Sequence, residues 1–226
     1  MVETFTQNFG RVPLVAKGAK RPRSALRGLL LAFQPLQLSW AGKSELRTLH
    51  KAEWQGGLPL LQGMGLICGF YLNELLVRLL HRDDPHEQLF VYYQQTLAAL
   101  GTQMSTQLST QKDYAPILRR FEQRLLKELG YALTLNHDAA SGKPINSEEE
   151  YRYEIERGPV ALNGSRNSSR HGLLVHGKTL LDMERDDYSD ATTQQQSKAL
   201  MRAILNHYLG DQPLHTRQLL KDLQQL

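Results

Sequence analysis

The stretch Gly10-Arg11-Val12-Pro13-Leu14-Val15-Ala16-Lys17 sets the architecture of the first quarter of the chain. Val12, Leu14 and Ala16 fall on one face at period two, the pattern of a half-buried strand, and Gly18 permits a turn after it. Leu36, Leu38 and Trp40 alternate in the same way, Ala41-Gly42-Lys43 is a hairpin signal, and Glu45 to Glu53 alternates more loosely. Short strands and tight turns packed into about 55 residues predict a small β-barrel, which closes its own sheet edges without a long chain.

Gly56-Gly57-Leu58-Pro59 marks a boundary, after which the period becomes helical. Leu60 to His81 reads as a buried helix, with Glu74 and Arg78 an exposed i,i+4 pair and with Gly65 and Gly69 allowing another backbone to come close. Asp83-Asp84-Pro85 stops it and starts a second helix, from Pro85 to Leu100. Residues 101–113 read as a polar, mobile loop. Tyr114 to Leu129 is amphipathic, with Tyr114, Ile117, Leu118, Phe121, Leu125 and Leu129 in one stripe, Arg120, Arg124 and Lys127 in another, and Gly130 at the end. Residues 131–190 show poor periodicity and read as a small irregular insertion. Ala191 to Leu209 and Thr216 to Leu226 return to helix. The expected class is α+β: a barrel domain over 1–56, a helical domain over 57–130, the insertion over 131–190, and C-terminal helices over 191–226 packing on the helical domain.

The chain carries +4 in formal net charge. Residues 1–51 hold nine Lys and Arg against Glu3 and Glu45, a net of +7, and the other 175 residues hold 18 basic and 21 acidic side chains, a net of −3. Such segregation points to a polyanionic partner, most often nucleic acid. The densest run is Lys17, Lys20, Arg21, Arg23 and Arg27, with Arg11 just before it. Lys and Arg neutralise phosphates and release condensed counterions, so affinity falls steeply with salt, and phosphate contacts carry no sequence information. Phe5, Phe9, Phe33 and Trp40 could stack on bases, although core packing is the commoner role of such residues.

Other chemistries find less support. The single cysteine, Cys68, excludes an intrachain disulfide and has no cationic neighbour to activate it. There is no Walker-type phosphate loop and no signal-peptide pattern at Met1, and the uncharged stretch from Trp54 to Phe70 is broken by glycines, Gln and Pro59. A cytoplasmic, non-catalytic protein without membrane contact is therefore expected. Glu148-Glu149-Glu150 and Asp182, Glu184, Asp186 and Asp187 could be read as a two-metal nuclease, but acidic runs in polar segments are usually solvated. His137, Asp138, His171 and His176 do not have a zinc-site spacing, so no metal or other cofactor is expected. The sequons beginning at Asn163 and Asn167 have no secretory context.

Several short strings, in order, resemble the RecO family. Gly10 to Lys20 is similar to the end of that family's first hairpin, and Tyr71-Leu72-Asn73-Glu74-Leu75-Leu76 to its central helix. Arg119-Arg120-Phe121-Glu122 with Leu129-Gly130-Tyr131, then Tyr151-Arg152-Tyr153, then Tyr208-Leu209-Gly210 with Pro213-Leu214, continue the match. The resemblance is to the proteobacterial branch without the four-cysteine zinc site. It implies an N-terminal OB barrel, a helical domain and a small inserted region. It also implies binding of single- and double-stranded DNA, strand annealing, and, with RecR, loading of RecA onto DNA coated by single-stranded-DNA-binding protein. The acidic, apolar-ended tail of that coating protein would be held by the helical domain, with Arg119, Arg120 and Arg124 as its cationic rim. Family members usually carry about twenty residues ahead of the position of Met1, including most of the first of the five OB strands, so either the true start lies upstream or the barrel is incomplete. A protein adaptor without DNA binding of its own is the alternative, and binding of RNA stays open.

Overall fold

The computed structural model describes residues 1–42, 46–102, 114–162, 172–210 and 212–218. It divides into two compact units: Met1–Tyr114 with Leu214–Leu226, and Ala115–Pro213. The class is α+β, with an N-terminal strand sheet followed by helices.

In the first unit, β1 (Val2–Thr6) and β2 (Gly10–Val15) form an antiparallel hairpin from Val2↔Leu14 to Thr6↔Gly10. A short helix α1 (Ala25–Leu29) follows, then β3 (Leu36–Ala41) and β4 (Arg47–Trp54), antiparallel to each other. β2 and β4 pair in parallel at Leu14↔Arg47 and Val15↔Thr48, so the order is β1-β2-β4-β3. The sheet is open among the described residues, with β1 and β3 as its edges, which fits an incomplete OB-type barrel. Period two held where it mattered. Val12, Leu14, Leu49 and Ala52 make the buried cluster, and Leu26 and Leu29 of α1 pack on it with Leu38 and Trp40 of β3. The Gly10 position is set by contact as well as by its φ of +64°, because a Cβ there would stand 1.9 Å from the Asp84 carbonyl oxygen.

Helices α2 (Gly63–Leu79) and α3 (Glu87–Thr102) complete this unit with residues 215–218, which are helical. α2 begins three residues later than expected, since Gln62 is extended and Leu60 is 69% exposed. α3 also begins and ends two residues later. Gly65 does allow a close backbone, its Cβ position lying 3.1 Å from the Leu100 carbonyl oxygen on α3, whereas Gly69 makes room for the side chains of Leu61 and Phe33. The expected exposed pair Glu74–Arg78 is largely covered, with side chains 12% and 18% exposed and 3.9 Å apart. Glu74 accepts hydrogen bonds from the backbone N–H groups of His215 (2.7 Å) and Thr216 (2.9 Å) and from the Thr216 hydroxyl (2.7 Å). It thereby satisfies donors that a helix start leaves without intrahelical partners. Burial would raise its pKa, but these hydrogen bonds outweigh that and hold the carboxyl below the usual glutamate range.

The second unit contains α4 (Ala115–Glu128), β5 (Glu150–Glu154), β6 (Gly158–Ala161), β7 (Leu173–His176), α5 (Gly177–Glu184) and α6 (Ala191–Leu209). The region read as irregular, 131–190, holds a three-stranded antiparallel sheet of order β6-β5-β7 and the helix α5. Tyr151 and Tyr153 of β5 and Val175 of β7 are buried. α6 buries Leu200, Met201, Ile204 and Leu205, and Asp190 caps it by accepting from the Thr193 N–H at 2.8 Å. Among the described residues no helix is long and apolar enough to cross a membrane. Most of the polar loop 101–113, the sequon residues, His171 and residues 219–226 of the last expected helix lie outside the described residues.

Candidate nucleic-acid interface

The basic run leaves β2 as a chain of tight turns. Ala19 N–H donates to the Ala16 carbonyl, Arg21 to Gly18, Ser24 to Arg21, and Arg27 to Ser24, at 3.0–3.3 Å. Successive i→i+3 bonds coil a polar segment without burying it. Lys17, Lys20, Arg21, Arg23 and Arg27 are all exposed, and none of them forms an ion pair among the described residues. Leu26 and Leu29 pin α1 to the core while Arg27 faces solvent. Five cations thus stand exposed and, among the described residues, without an ion-pair partner.

Arg11 stands apart from this group. Its guanidinium lies 4.0 Å from Glu3 and donates to the Val77 carbonyl, and its side chain is only 16% exposed. Arg82 also pairs with Glu3 at 2.9 Å, and Arg47 with Asp83 at 2.5 Å. Together with the Asp83 N–H donating to the Arg11 carbonyl, these contacts fasten the chain after α2 to β1, β2 and β4. The structure therefore brings five of the six proposed DNA contacts into one exposed segment and uses Arg11 to tie secondary-structure elements together.

The first unit also holds a cleft of about 1050 Å³, bounded by β1, the chain from Leu30 to Leu38, α2 and α3. The four aromatics singled out from the sequence, Phe5, Phe9, Phe33 and Trp40, all line it. Phe9 and Trp40 meet edge to face at 5.3 Å, and Phe9 is 54% exposed. Phe90 and Tyr93 of α3, which the sequence reading missed, stand against Phe5 at 5.5 and 5.8 Å. Tyr93 donates to Asn73, and burial pushes its phenol well above the ordinary value, so it stays neutral.

The arginines of α4 are differently placed. Arg119 is buried and bonds Glu122, itself fully buried, at 2.5 Å, and its guanidinium lies 3.5 Å from the Lys198 carbonyl oxygen. It is no part of an exposed rim. Arg120 donates to the Asp186 carbonyl at 3.0 Å and lies over the Tyr188 ring at 5.9 Å. Arg124 is half-buried. The three therefore do not share one open cationic edge.

The acidic and histidine clusters have structural partners. Asp138 accepts from the N–H groups of Ala140, Ser141 and Ala161 at 2.6–3.0 Å, which outweighs its burial and lowers its pKa. Asp182 accepts from Lys178 and from the Thr193 hydroxyl. His137 lies 2.7 Å from the Asn136 side-chain oxygen, and His176 lies 3.6 Å from Glu150. Among the described residues no three or more His, Cys, Asp or Glu side chains are grouped to hold a metal ion. Cys68 is buried, and burial pushes its thiol up to about 11, the protonated and poorly nucleophilic state.

Comparison with known proteins covers nearly the whole chain. Residues 1–57 match the family described as recombination protein O N terminal, and residues 62–218 match recombination protein O C terminal. The chain is similar to a DNA repair protein RecO of Nitrosospira multiformis, 66% identical over all 226 residues and 89% of that relative. It is 51% identical to that of Dechloromonas aromatica over 226 residues, and 52% identical to that of Aromatoleum aromaticum over 227, covering 90% of each. The chain belongs to the RecO family of DNA repair and recombination proteins.

Proposed function

We propose that this chain is a non-catalytic recombination mediator that binds single- and double-stranded DNA through an OB-type N-terminal domain. The observation that carries the reading is the exposed segment holding Lys17, Lys20, Arg21, Arg23 and Arg27, none of them in an ion pair among the described residues. Two single strands repel each other. A cationic surface that screens both backbones and leaves base edges free favours their annealing without a nucleophile or an activated water. Family membership supports the rest of the role: cooperation with RecR to load RecA in the cytoplasm on DNA coated by single-stranded-DNA-binding protein. The acidic tail of that coating protein would meet the second unit at Arg120 and Arg124, with Arg119 holding α4 in place behind them.

The test is binding of labelled single-stranded DNA across a salt series, for the wild type and for Lys20, Arg21 and Arg23 changed together to Ala. Binding that weakens with salt, with a shallower dependence in the variant, supports the reading. No wild-type binding at low salt supports the second one, a protein adaptor, for which the open sheet is the favouring observation: an unclosed barrel offers an incomplete groove.

A further inference from the structure

We infer that the N-terminal sheet is latched onto α2 and α3 by a seam of ion pairs that phosphate anions can open, so that the sheet moves against the helices when a polyanion binds. The latch stands on geometry, and its key rests on the proposed binding of DNA. The first argument is where the apolar contacts fall. The buried cluster of the sheet is closed by α1, Leu30 and the sheet's own strands, and it holds no residue of α2 or α3. Between sheet and helices the cleft leaves about 1050 Å³ unfilled, bridged by Phe5 against Phe90 and Tyr93 and by Phe33 against Phe70 at 5.1 Å. Packed interiors leave few voids larger than a water molecule, so burial alone does not hold this seam.

The second argument is what does hold it. Glu3 of β1 takes Arg82, Asp83 takes Arg47 of β4, and Arg11 of β2 donates to the Val77 carbonyl of α2. Glu3 Oε2 and Arg11 Nε lie 4.0 Å apart, beyond hydrogen-bond reach, so the closed seam covers charges that it does not fully pair. The side chains of Arg82 and Asp83 stay 40% and 44% exposed, within reach of a dissolved anion. Phosphate, like carboxylate, takes a guanidinium in a two-pronged pair, and can therefore replace Glu3 or Asp83. Arg11, Arg47 and Arg82 against Glu3 and Asp83 leave one positive charge over, which favours that exchange.

The third argument is strain. Among the described residues four other than glycine have a positive φ, and two of them sit on this seam: Phe33 at +64° and Asp83 at +59°. A Phe in left-handed backbone is costly and persists only while its surroundings hold it there. Here the Phe33 ring is seated against α2, 3.0 Å from where a Cβ on Gly69 would stand. Release of the seam frees that residue to relax, so the strain works with the anion once the ion pairs are lost.

Distances between two spin labels read the opening. In the full chain Cys68→Ala removes the single native thiol, and His50→Cys on β4 and Gln95→Cys on α3, both exposed positions, carry the labels. The expected result is one short distance at low salt and a second, longer one on saturation with oligothymidylate. Asp83→Asn keeps a residue that tolerates left-handed backbone and removes the charge. It should raise the open-to-closed ratio about fivefold without any ligand, the upper end for one partly exposed ion pair. Gly69→Ala should raise it too, because the added Cβ crowds the Phe33 ring and Leu61. Glu53→Gln, which breaks the Lys51 pair within β4, should leave it unchanged. One unmoving distance in wild type, Asp83→Asn and Gly69→Ala overturns the latch, and so does a Glu53→Gln distribution as broad as that of Asp83→Asn. Opening in the variants, with oligothymidylate bound and the wild-type distance unmoved, overturns the anion key. If labelled oligothymidylate does not bind, the proposed function fails instead; the variants still decide the latch, and pyrophosphate in place of the oligomer decides the key.

Discussion

Two regions of this molecule look alike as strings of positive charge and differ as surfaces. Residues 17–27 and the start of α4 both crowd Lys and Arg into about one turn or two of chain. In the first, the chain coils through i→i+3 turns, and five cations stay exposed without an ion pair among the described residues. In the second, Glu122 one helical turn beyond Arg119 draws it inward, and the Asp186 carbonyl and Tyr188 ring take Arg120. Charge is written in the sequence, but its availability depends on what folds against it. A guanidinium inside a unit fixes helices, and one on a turn is left for a ligand.

That contrast can be broken by mutation. The largest effect belongs to Glu122→Ala, which leaves Arg119 buried without its carboxylate and should cost about 3 kcal/mol in denaturant unfolding. A loss below about 1 kcal/mol would place α4 with the surface segment instead. Next is Glu74→Gln, about 2 kcal/mol at neutral pH, because hydrogen bonds to a charged acceptor are the stronger ones. The folded-state pKa of Glu74 is lowered, so its contribution is present above the ordinary glutamate range and is lost as pH falls through the folded value. Wild type and Glu74→Gln should therefore converge in stability on acidification. Arg120→Ala should cost about 1 kcal/mol, for one hydrogen bond and one partly solvated ring contact. Smallest in stability is the triple change Lys20→Ala, Arg21→Ala, Arg23→Ala, within about 0.5 kcal/mol of wild type. Its signature lies elsewhere: the slope of log affinity for single strands against log salt should fall by about 2. A triple variant that unfolds early, or one that binds with an unchanged slope, would erase the distinction between the two regions.

The same logic explains what could be read in the sequence. β2 was legible because Val12, Leu14 and Ala16 form one buried face, and α4 and α6 because their apolar residues recur over several turns. The sheet of the second unit was harder. β6 and β7 are four residues each and β6 begins Gly158-Pro159, too short a run for a period to emerge. β5 did carry a signal, Tyr151 and Tyr153 alternating with charged residues, which its acidic flank obscured. In the candidate interface, the cations and four of the aromatics were visible from composition, whereas Phe90, Tyr93 and Asn73 were hidden because only folding brings α2 and α3 to the cleft. The Arg119–Glu122 spacing was present, yet helical periodicity alone does not say which of two neighbouring arginines turns inward. Glu74 was misread as half of a local surface pair because its partners lie 141 and 142 residues away.

That last contact bears on how the chain is made. Thr216 is made 142 residues after Glu74, and the Glu74 carboxylate cannot meet its donors until the chain between them has left the ribosome. The first unit is thus drawn from both sides of Ala115–Pro213, which is contiguous and has its own strands and helices to hand before Leu214 is made. During translation the nascent chain would present its basic segment long before it fastens the turn at 215–218. A polypeptide stopped before Leu214 would lack the grip on Glu74 and leave a carboxylate on α2 without the donors that hold it ionised.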